Sequence, residues 1–133
     1  MASSTPKRPR PLSPHVQIYR PQLTSVLSIA NRISGVVLSF YAVALVAWLV
    51  STAAGPQPYS TVHDFIRSWF GQILLFGGMF AFFLHLCGGI RHLVWDAGYG
   101  FELRTIYTSG WTVLMMSAAL TLITWAASVG FAG

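Results

Sequence analysis

The residue with the clearest potential for chemistry is His85. It lies in the segment SWFGQILLFGGMFAFFLHLCGGI, between Arg67 and Arg91, in which no side chain has a formal charge. An imidazole at membrane depth is costly, and it therefore indicates a functional site. The residue alone leaves three interpretations open: an axial ligand to haem iron, a hydrogen-bonding contact between helices, or part of a proton path.

A second imidazole follows at His92, seven residues after His85. Residues seven apart share a helix face about two turns from each other. Gly88 and Gly89 lie between them, and this face predicts a wall for a flat, metal-bearing ligand. His92 is nearer the predicted membrane edge, where it could ligate a second haem, bond a propionate or be a solvated interface residue.

Ser28 and Arg32 are four residues apart, so they share one face of a helix. A hydroxyl and a guanidinium in this arrangement could bind a quinone carbonyl or a carboxylate. The alternative is a helix N-cap followed by an arginine that anchors the helix at the membrane interface.

Asp96 closes the run HLCGGIRHLVWD, close to Arg91 and His92. Its carboxylate could accept or relay a proton at the end of the helix. It could equally be the exposed partner of an ion pair, which is a common arrangement at surfaces.

The composition indicates a membrane protein. Of the 133 residues 54% are hydrophobic and only 8% are charged, and the mean hydropathy is +0.60. Soluble domains have about 25% charged residues. The three acidic residues form no catalytic carboxylate pair, and there is no glycine-rich phosphate loop. The chain is therefore expected to depend on partner proteins for substrate chemistry.

Three uncharged runs are long enough to cross a bilayer, which takes about 20 apolar residues in a helix. They follow Arg32, lie between Arg67 and Arg91, and follow Arg104, and they predict spans over about residues 30–53, 69–93 and 107–129. We therefore predict an all-α integral membrane protein, an up-down-up bundle of three transmembrane helices with a basic N-terminal tail. Residues 1–27 would be the tail and residues 28–133 the membrane domain. The sequence Gly55-Pro56-Gln57-Pro58 predicts the end of the first helix and the start of a loop.

The net charge of +5 indicates orientation rather than nucleic-acid binding. Four basic residues crowd the tail, and Arg91 and Arg104 flank the second loop. The positive-inside rule then predicts a cytoplasmic N-terminus and a periplasmic C-terminus. Prolines in the tail argue against a mitochondrial presequence. We expect the bacterial cytoplasmic membrane rather than the mitochondrial inner membrane. With this topology Ser28, Arg32, His92 and Asp96 meet at the inner surface, and His85 lies about 10 Å deeper than His92.

Two stretches of the chain match a known family. RPLSPHVQIYRPQLTSVLSIANRISG, followed by HLCGGIRHLVWDAGYG, closely resembles the cytochrome b556 membrane-anchor subunit of succinate dehydrogenase, respiratory complex II. The usual patterns there are RPLSPHLxIY, SIxHRxTG or SIxHRxSG, and HxxxGIRHLxWD. Length, spacing and three spans agree over essentially the whole chain.

The resemblance implies a subunit of a four-subunit succinate:ubiquinone oxidoreductase. A flavoprotein oxidises succinate, an iron–sulfur protein passes on the electrons, and two small three-helix anchors share one haem b and help to form the ubiquinone site. The chain alone is not expected to oxidise succinate. The matching positions imply His85 as the axial iron ligand, Ser28 and Arg32 at the quinone, and Arg32 also near the haem propionates. His92 and Asp96 match positions at the same membrane edge, in the haem environment and as a possible proton relay.

One position departs from the family pattern. Asn31 stands where the SIxHR motif usually has a histidine near the propionates, and an amide cannot become charged. Three other functions remain as alternatives. They are the anchor of a menaquinol-linked fumarate reductase, a haem-free anchor in which His85 only bonds between helices, and a small transporter.

Overall fold

Four α-helices make up the part of the chain that the structure, a computed structural model, describes, which is residues 9–11 and 22–132. The predicted tail therefore lies mostly outside the described residues. In chain order the helices are α1 (Leu23–Ala54), α2 (Pro56–Arg67), α3 (Trp69–Asp96) and α4 (Leu103–Ala132). Each of α1, α3 and α4 is long and apolar enough to cross a membrane. The predicted all-α bundle with three spans is confirmed, and each helix extends beyond the apolar run that predicted it.

The loop predicted after Gly55 is wrong, because α2 begins at the next residue. Gly55 makes the turn with a φ of 123°, which a glycine adopts without strain. Pro56 then occupies the first turn of α2, where the missing N–H would have had no helical partner in any case. Ser68 separates α2 from α3, and its hydroxyl accepts a hydrogen bond from Gly71 N at 3.1 Å.

Helices α1 and α3 pack antiparallel through glycines. A Cβ on Gly78 would overlap the ring of Tyr41, and one on Gly88 would lie 2.5 Å from Asn31 Oδ1. Without side chains at these positions the two helices approach closely, as glycine permits in membrane bundles. Asn31 therefore lies at the level of Gly88, and the beginning of α1 lies beside the end of α3.

Helix α4 completes the bundle with small and hydroxylic residues. Gly110 lies against Leu23 and Leu27 of α1, and Leu27 is buried. Ser117 and Thr121 are almost fully buried, and their hydroxyls donate to the carbonyls of Val113 and Ser117 in their own helix. These polar groups are therefore satisfied without a partner from another helix.

Most large apolar side chains point away from this interior. Phe40 is 72% exposed and Trp69 is 76% exposed. In water such a surface would be unfavourable, but lipid chains are as apolar as leucine. The bundle therefore has the surface expected of a protein surrounded by lipid and by other transmembrane helices.

The adjacent glycines 77 and 78 allow a test of the α1–α3 contact. We expect Gly78→Ala to destabilise the bundle by about 1–3 kcal/mol, because the new methyl group would push the Tyr41 ring out of place. Gly77→Ala is the matched control, since a Cβ at Gly77 meets nothing within 4 Å. Thermal unfolding in detergent measures both variants, and equal melting temperatures would contradict the packing described.

Candidate functional site

His85 is tied to α1 by hydrogen bonds of one ring nitrogen. Its Nδ1 lies 3.1 Å from the main-chain oxygen of Asn31 and 3.1 Å from Ser34 Oγ. The Ser34 hydroxyl itself donates to the same Asn31 oxygen at 2.7 Å, and Ser34 is only 3% exposed. One buried carbonyl of α1 is thus the common acceptor for a serine and a histidine.

This arrangement determines which nitrogen of His85 holds the proton. A carbonyl oxygen can only accept, so Nδ1 must be the N–H donor. In the neutral imidazole Nε2 then has the free lone pair. No hydrogen bond to Nε2 is found within residues 9–11 and 22–132. Its lone pair is therefore not used by any of these residues.

Gly35 leaves the space in which the imidazole lies. A Cβ at this position would stand 3.0 Å from Cε1 of His85 and 3.5 Å from Nδ1. The ring would have to shift by a few tenths of an ångström to accommodate this carbon. Ser34 and Gly35 thus both position His85, although neither is a candidate site residue from its type and spacing. The available signal was their place in SIANRISG, where the family pattern has a hydroxyl residue followed by glycine.

Asn31 has a buried side-chain oxygen without a partner. Its Oδ1 makes no hydrogen bond in the described part of the chain, and it lies against Gly88. Gly88 therefore faces α1 and not an open space. The prediction that both glycines form the wall of a ligand site is wrong for Gly88. Gly89 has no atom within 4 Å of the Cβ position and remains open on that side.

His92 bonds within its own helix. Its Nδ1 lies 2.7 Å from the carbonyl oxygen of Gly88, one turn earlier, and its ring is 5.4 Å from that of Trp95. The side chain is half-buried. The carbonyl again requires the proton on Nδ1, so Nε2 of His92 is left as an acceptor.

Arg91 joins α3 to α4. Its Nε donates to Ser109 Oγ at 3.0 Å and its Nη2 to the carbonyl of Ile106 at 2.9 Å. The guanidinium also lies 4.2 Å from the centre of the Trp95 ring, and Arg91 is 7% exposed. Asp96 is exposed and forms no ion pair with the residues described. Its interpretation as the partner of an ion pair is therefore not supported by any of these residues.

Ser28 and Arg32 line one shallow pocket at the beginning of α1. It has a volume of about 340 Å³ and also includes Thr24, Ser25 and Ile29. Ser28 lies in the second turn of α1 and is half-buried, whereas the N-cap is Gln22. The interpretation of Ser28 as a helix cap is therefore wrong. Arg32 is exposed, with its side chain available to a ligand at this surface.

The α1–α3 register places these groups at one end of the bundle. Because Asn31 lies opposite Gly88, the turn from Ser28 to Arg32 is level with residues 87–91 of α3, and His92 and Asp96 follow within the next two turns. The described residues include no group of three or more His, Cys, Asp or Glu side chains that could enclose a metal ion. A haem requires only one axial nitrogen from a chain, so this finding leaves His85 as a candidate ligand.

The comparison with known proteins identifies the family. Residues 6–124 match the family model described as the succinate dehydrogenase/fumarate reductase transmembrane subunit. The chain belongs to this family. It is a multi-pass membrane protein, as its three long apolar helices also indicate.

Curated relatives share about two-fifths of their residues with the chain. The succinate dehydrogenase cytochrome b556 subunit of Rickettsia felis is 41% identical over 116 residues, which are 87% of this chain and 90% of the relative. The subunit of the same name from Paracoccus denitrificans is 40% identical over 115 residues, 86% of this chain and 88% of the relative. The cytochrome b560 subunit of Reclinomonas americana is 38% identical over 122 residues, 87% of this chain and 84% of the relative.

Proposed function

We propose that this chain is the haem b-binding membrane anchor of a succinate:ubiquinone oxidoreductase. Family membership and the names of the relatives support an anchor of complex II. The observation that supports haem binding is the pair of hydrogen bonds on Nδ1 of His85, which leave Nε2 free to bind iron. A histidine that holds iron usually donates its other N–H to a carbonyl or a similar acceptor.

The residues present fit a haem b shared between two chains. His85 would supply one axial nitrogen, and a second three-helix anchor subunit would supply the other. The open side of Gly89, one turn from His85, leaves room for a flat ring system. Arg32 would pair with a propionate, and His92 would belong to the haem environment. When bound, the haem would supply one-electron redox chemistry.

Asn31 would act in this site mainly through its backbone. Its main-chain oxygen orients His85, whereas its carboxamide is packed against Gly88 and cannot become charged. The charge next to the propionates would therefore come from Arg32 rather than from position 31.

Ser28 and Arg32 would bind ubiquinone at the pocket of about 340 Å³. A quinone oxygen becomes more basic as it gains electrons, so donors aimed at it stabilise the reduced form. The Ser28 hydroxyl can donate one hydrogen bond, and the Arg32 guanidinium can add a charge-assisted one. Asp96, exposed at the same end of the bundle, would relay the protons that the quinol takes up.

The proposed assembly also fixes partners and orientation. A flavoprotein and an iron–sulfur subunit would dock where Ser28, Arg32 and Asp96 lie, because electrons must reach the quinone there. The basic segment 1–27 would stay on the cytoplasmic side, with the C-terminus periplasmic. The membrane domain, residues 28–133, would lie in the bacterial cytoplasmic membrane, and nucleic acid is not a partner.

A haem-free anchor is the second candidate function, because the bonds from His85 to α1 would also suit a purely structural contact between helices. A reduced-minus-oxidised optical spectrum of the purified complex separates the two functions. A b-type band is expected, and its absence from the wild-type complex would leave the structural anchor.

Replacing the proposed ligand tests the haem directly. We expect His85→Leu to abolish or strongly alter the b-type band, because leucine packs in the membrane but cannot bind iron. His92→Leu is the comparison variant and should perturb the band less, since His92 bonds only within α3. Ligation by His85 would be refuted by an unchanged spectrum and midpoint potential in a fully assembled complex.

The role of Ser34 is open to a sharper test. Ser34→Ala removes one of the two acceptors of the Nδ1 proton, which lowers the basicity of the imidazole and favours ferrous iron. We expect the haem midpoint potential to rise by about 20–60 mV, which corresponds to one net hydrogen bond. Redox titration of the purified complex measures this shift.

Ser51→Ala is the matched control for Ser34→Ala. Ser51 is also a buried serine of α1, and its hydroxyl also donates to the carbonyl three residues earlier at 2.7 Å, but it has no contact with His85. Equal shifts in the two variants would mean that Ser34 acts only on the helix and not on the ligand.

The quinone assignment predicts a selective loss. We expect Ser28→Ala and Arg32→Leu each to reduce succinate-to-quinone activity at least about tenfold, a loss of about 1.4 kcal/mol of transition-state stabilisation. Succinate oxidation with a soluble artificial acceptor should stay nearly intact, because the flavin is in another subunit. Parallel loss of both activities would indicate an assembly defect, and unchanged quinone reduction would remove these residues from the site.

A further inference from the structure

A second cavity lies between α3 and α4, away from the residues of the proposed redox site. Its volume is about 550 Å³, and it is open along one side. Val94 lines it and follows His85 by nine residues. Nine residues make two and a half helical turns, so the two side chains lie on opposite faces of α3. The cavity therefore faces away from His85, and its lining includes neither Ser28 nor Arg32. We call it the α3–α4 groove.

The groove has an apolar wall and a polar end. Its apolar wall includes Ile90, Val94, Val113 and Met116. Arg91, Arg104 and Thr105 line the end near the turn between the two helices, together with Trp95. An arginine and a tryptophan at the end of a transmembrane helix are typical of the membrane interface. The groove thus runs from the interface into the hydrocarbon region.

The length of the groove matches one leaflet. Arg104 and Met116 are twelve residues apart on α4, which corresponds to about 18 Å along the helix. Half of the hydrocarbon core of a bilayer is about 15 Å thick. One lipid acyl chain placed along the apolar wall would therefore reach from the interface to about the bilayer centre.

The positive charge at the polar end has no acidic partner within residues 9–11 and 22–132. Arg104 is exposed and makes no ion pair with any of the residues described, although Glu102 is two residues away. Arg91 uses two N–H groups on Ser109 and Ile106, and other N–H groups of its guanidinium remain. Because Arg91 is only 7% exposed, the exposed guanidinium of Arg104 is the group available to a phosphodiester, and Arg91 adds positive charge to the lining of the same groove.

We propose that the α3–α4 groove binds one anionic phospholipid. Its phosphodiester binds the guanidinium of Arg104, and one acyl chain lies along Ile90, Val94, Val113 and Met116. Basic pockets between transmembrane helices on the cytoplasmic side bind anionic head groups in this way. The site does not depend on haem or quinone binding.

A helix of a partner subunit is the other conceivable occupant. The exposed guanidinium of Arg104, which has no acidic partner among the described residues, favours an anionic lipid over an apolar helix face.

Lipid retention by the whole complex tests this proposal. The complex is purified in mild detergent, exchanged into micelles that contain equal phosphatidylglycerol and phosphatidylcholine, and washed with lipid-free detergent. Mass spectrometry then counts the lipids retained per complex. We expect phosphatidylglycerol to be retained preferentially, and Arg104→Gln to lower its retention at least about fivefold.

Arg67→Gln is the matched control for the charge. Arg67 ends α2, at the other end of α3 from the groove, so its replacement removes one positive charge and should leave lipid retention unchanged. An equal loss in both variants, or equal retention of the two lipids in the wild type, would overturn the proposal of an anionic head-group site.

A second variant tests the apolar wall without changing any charge. Thr112 lines the groove and is exposed, so Thr112→Phe should fill the space of the acyl chain and also lower phosphatidylglycerol retention at least about threefold. Unchanged retention in this variant would overturn the placement of the chain. A photoreactive residue at position 112 that crosslinks to another subunit rather than to lipid would show that the groove is a protein interface.

Discussion

The close approach of α1 and α3 is the constraint on which the rest of the site depends. Gly78 and Gly88 permit this approach, and Gly35 leaves room for the His85 ring between the helices. At a larger separation, Nδ1 of His85 could not reach the Asn31 carbonyl at 3.1 Å. The tautomer of His85, and with it the availability of Nε2, therefore follows from backbone packing as much as from the histidine itself.

The three transmembrane spans could be predicted from the sequence, but the short helix α2 could not. The three spans follow from apolar runs without charge, and the structure has long helices at all three. The sequence does not predict α2, because two prolines next to Gly55 are typical of a loop, although proline also suits the first turn of a helix. Hydropathy reports the depth of a residue in the membrane, but it does not distinguish a proline that starts a helix from one that interrupts it.

The candidate site was predictable in its titratable residues and not in its supports. His85, His92, Ser28 and Arg32 attract notice because such side chains are rare in apolar segments. Ser34 and Gly35 do not, since their roles appear only when the register between α1 and α3 is known. The contacts of Arg91 with α4 were hidden for the same reason. Spacing within α3 predicts Asp96 as the neighbour of Arg91, whereas the Arg91 side chain donates its hydrogen bonds to Ser109 and Ile106 of α4.

The use of a main-chain oxygen to orient His85 has a consequence for how this protein can evolve. A side-chain acceptor at position 31 would disappear with a single codon change, whereas a carbonyl of the helix backbone persists through any replacement that keeps α1 helical. The orientation of the imidazole thus does not depend on which side chain stands at position 31. Replacement is restricted instead at Gly35 and Gly88, where an added methyl group would stand 3.0 Å from the His85 ring and 2.5 Å from Asn31 Oδ1.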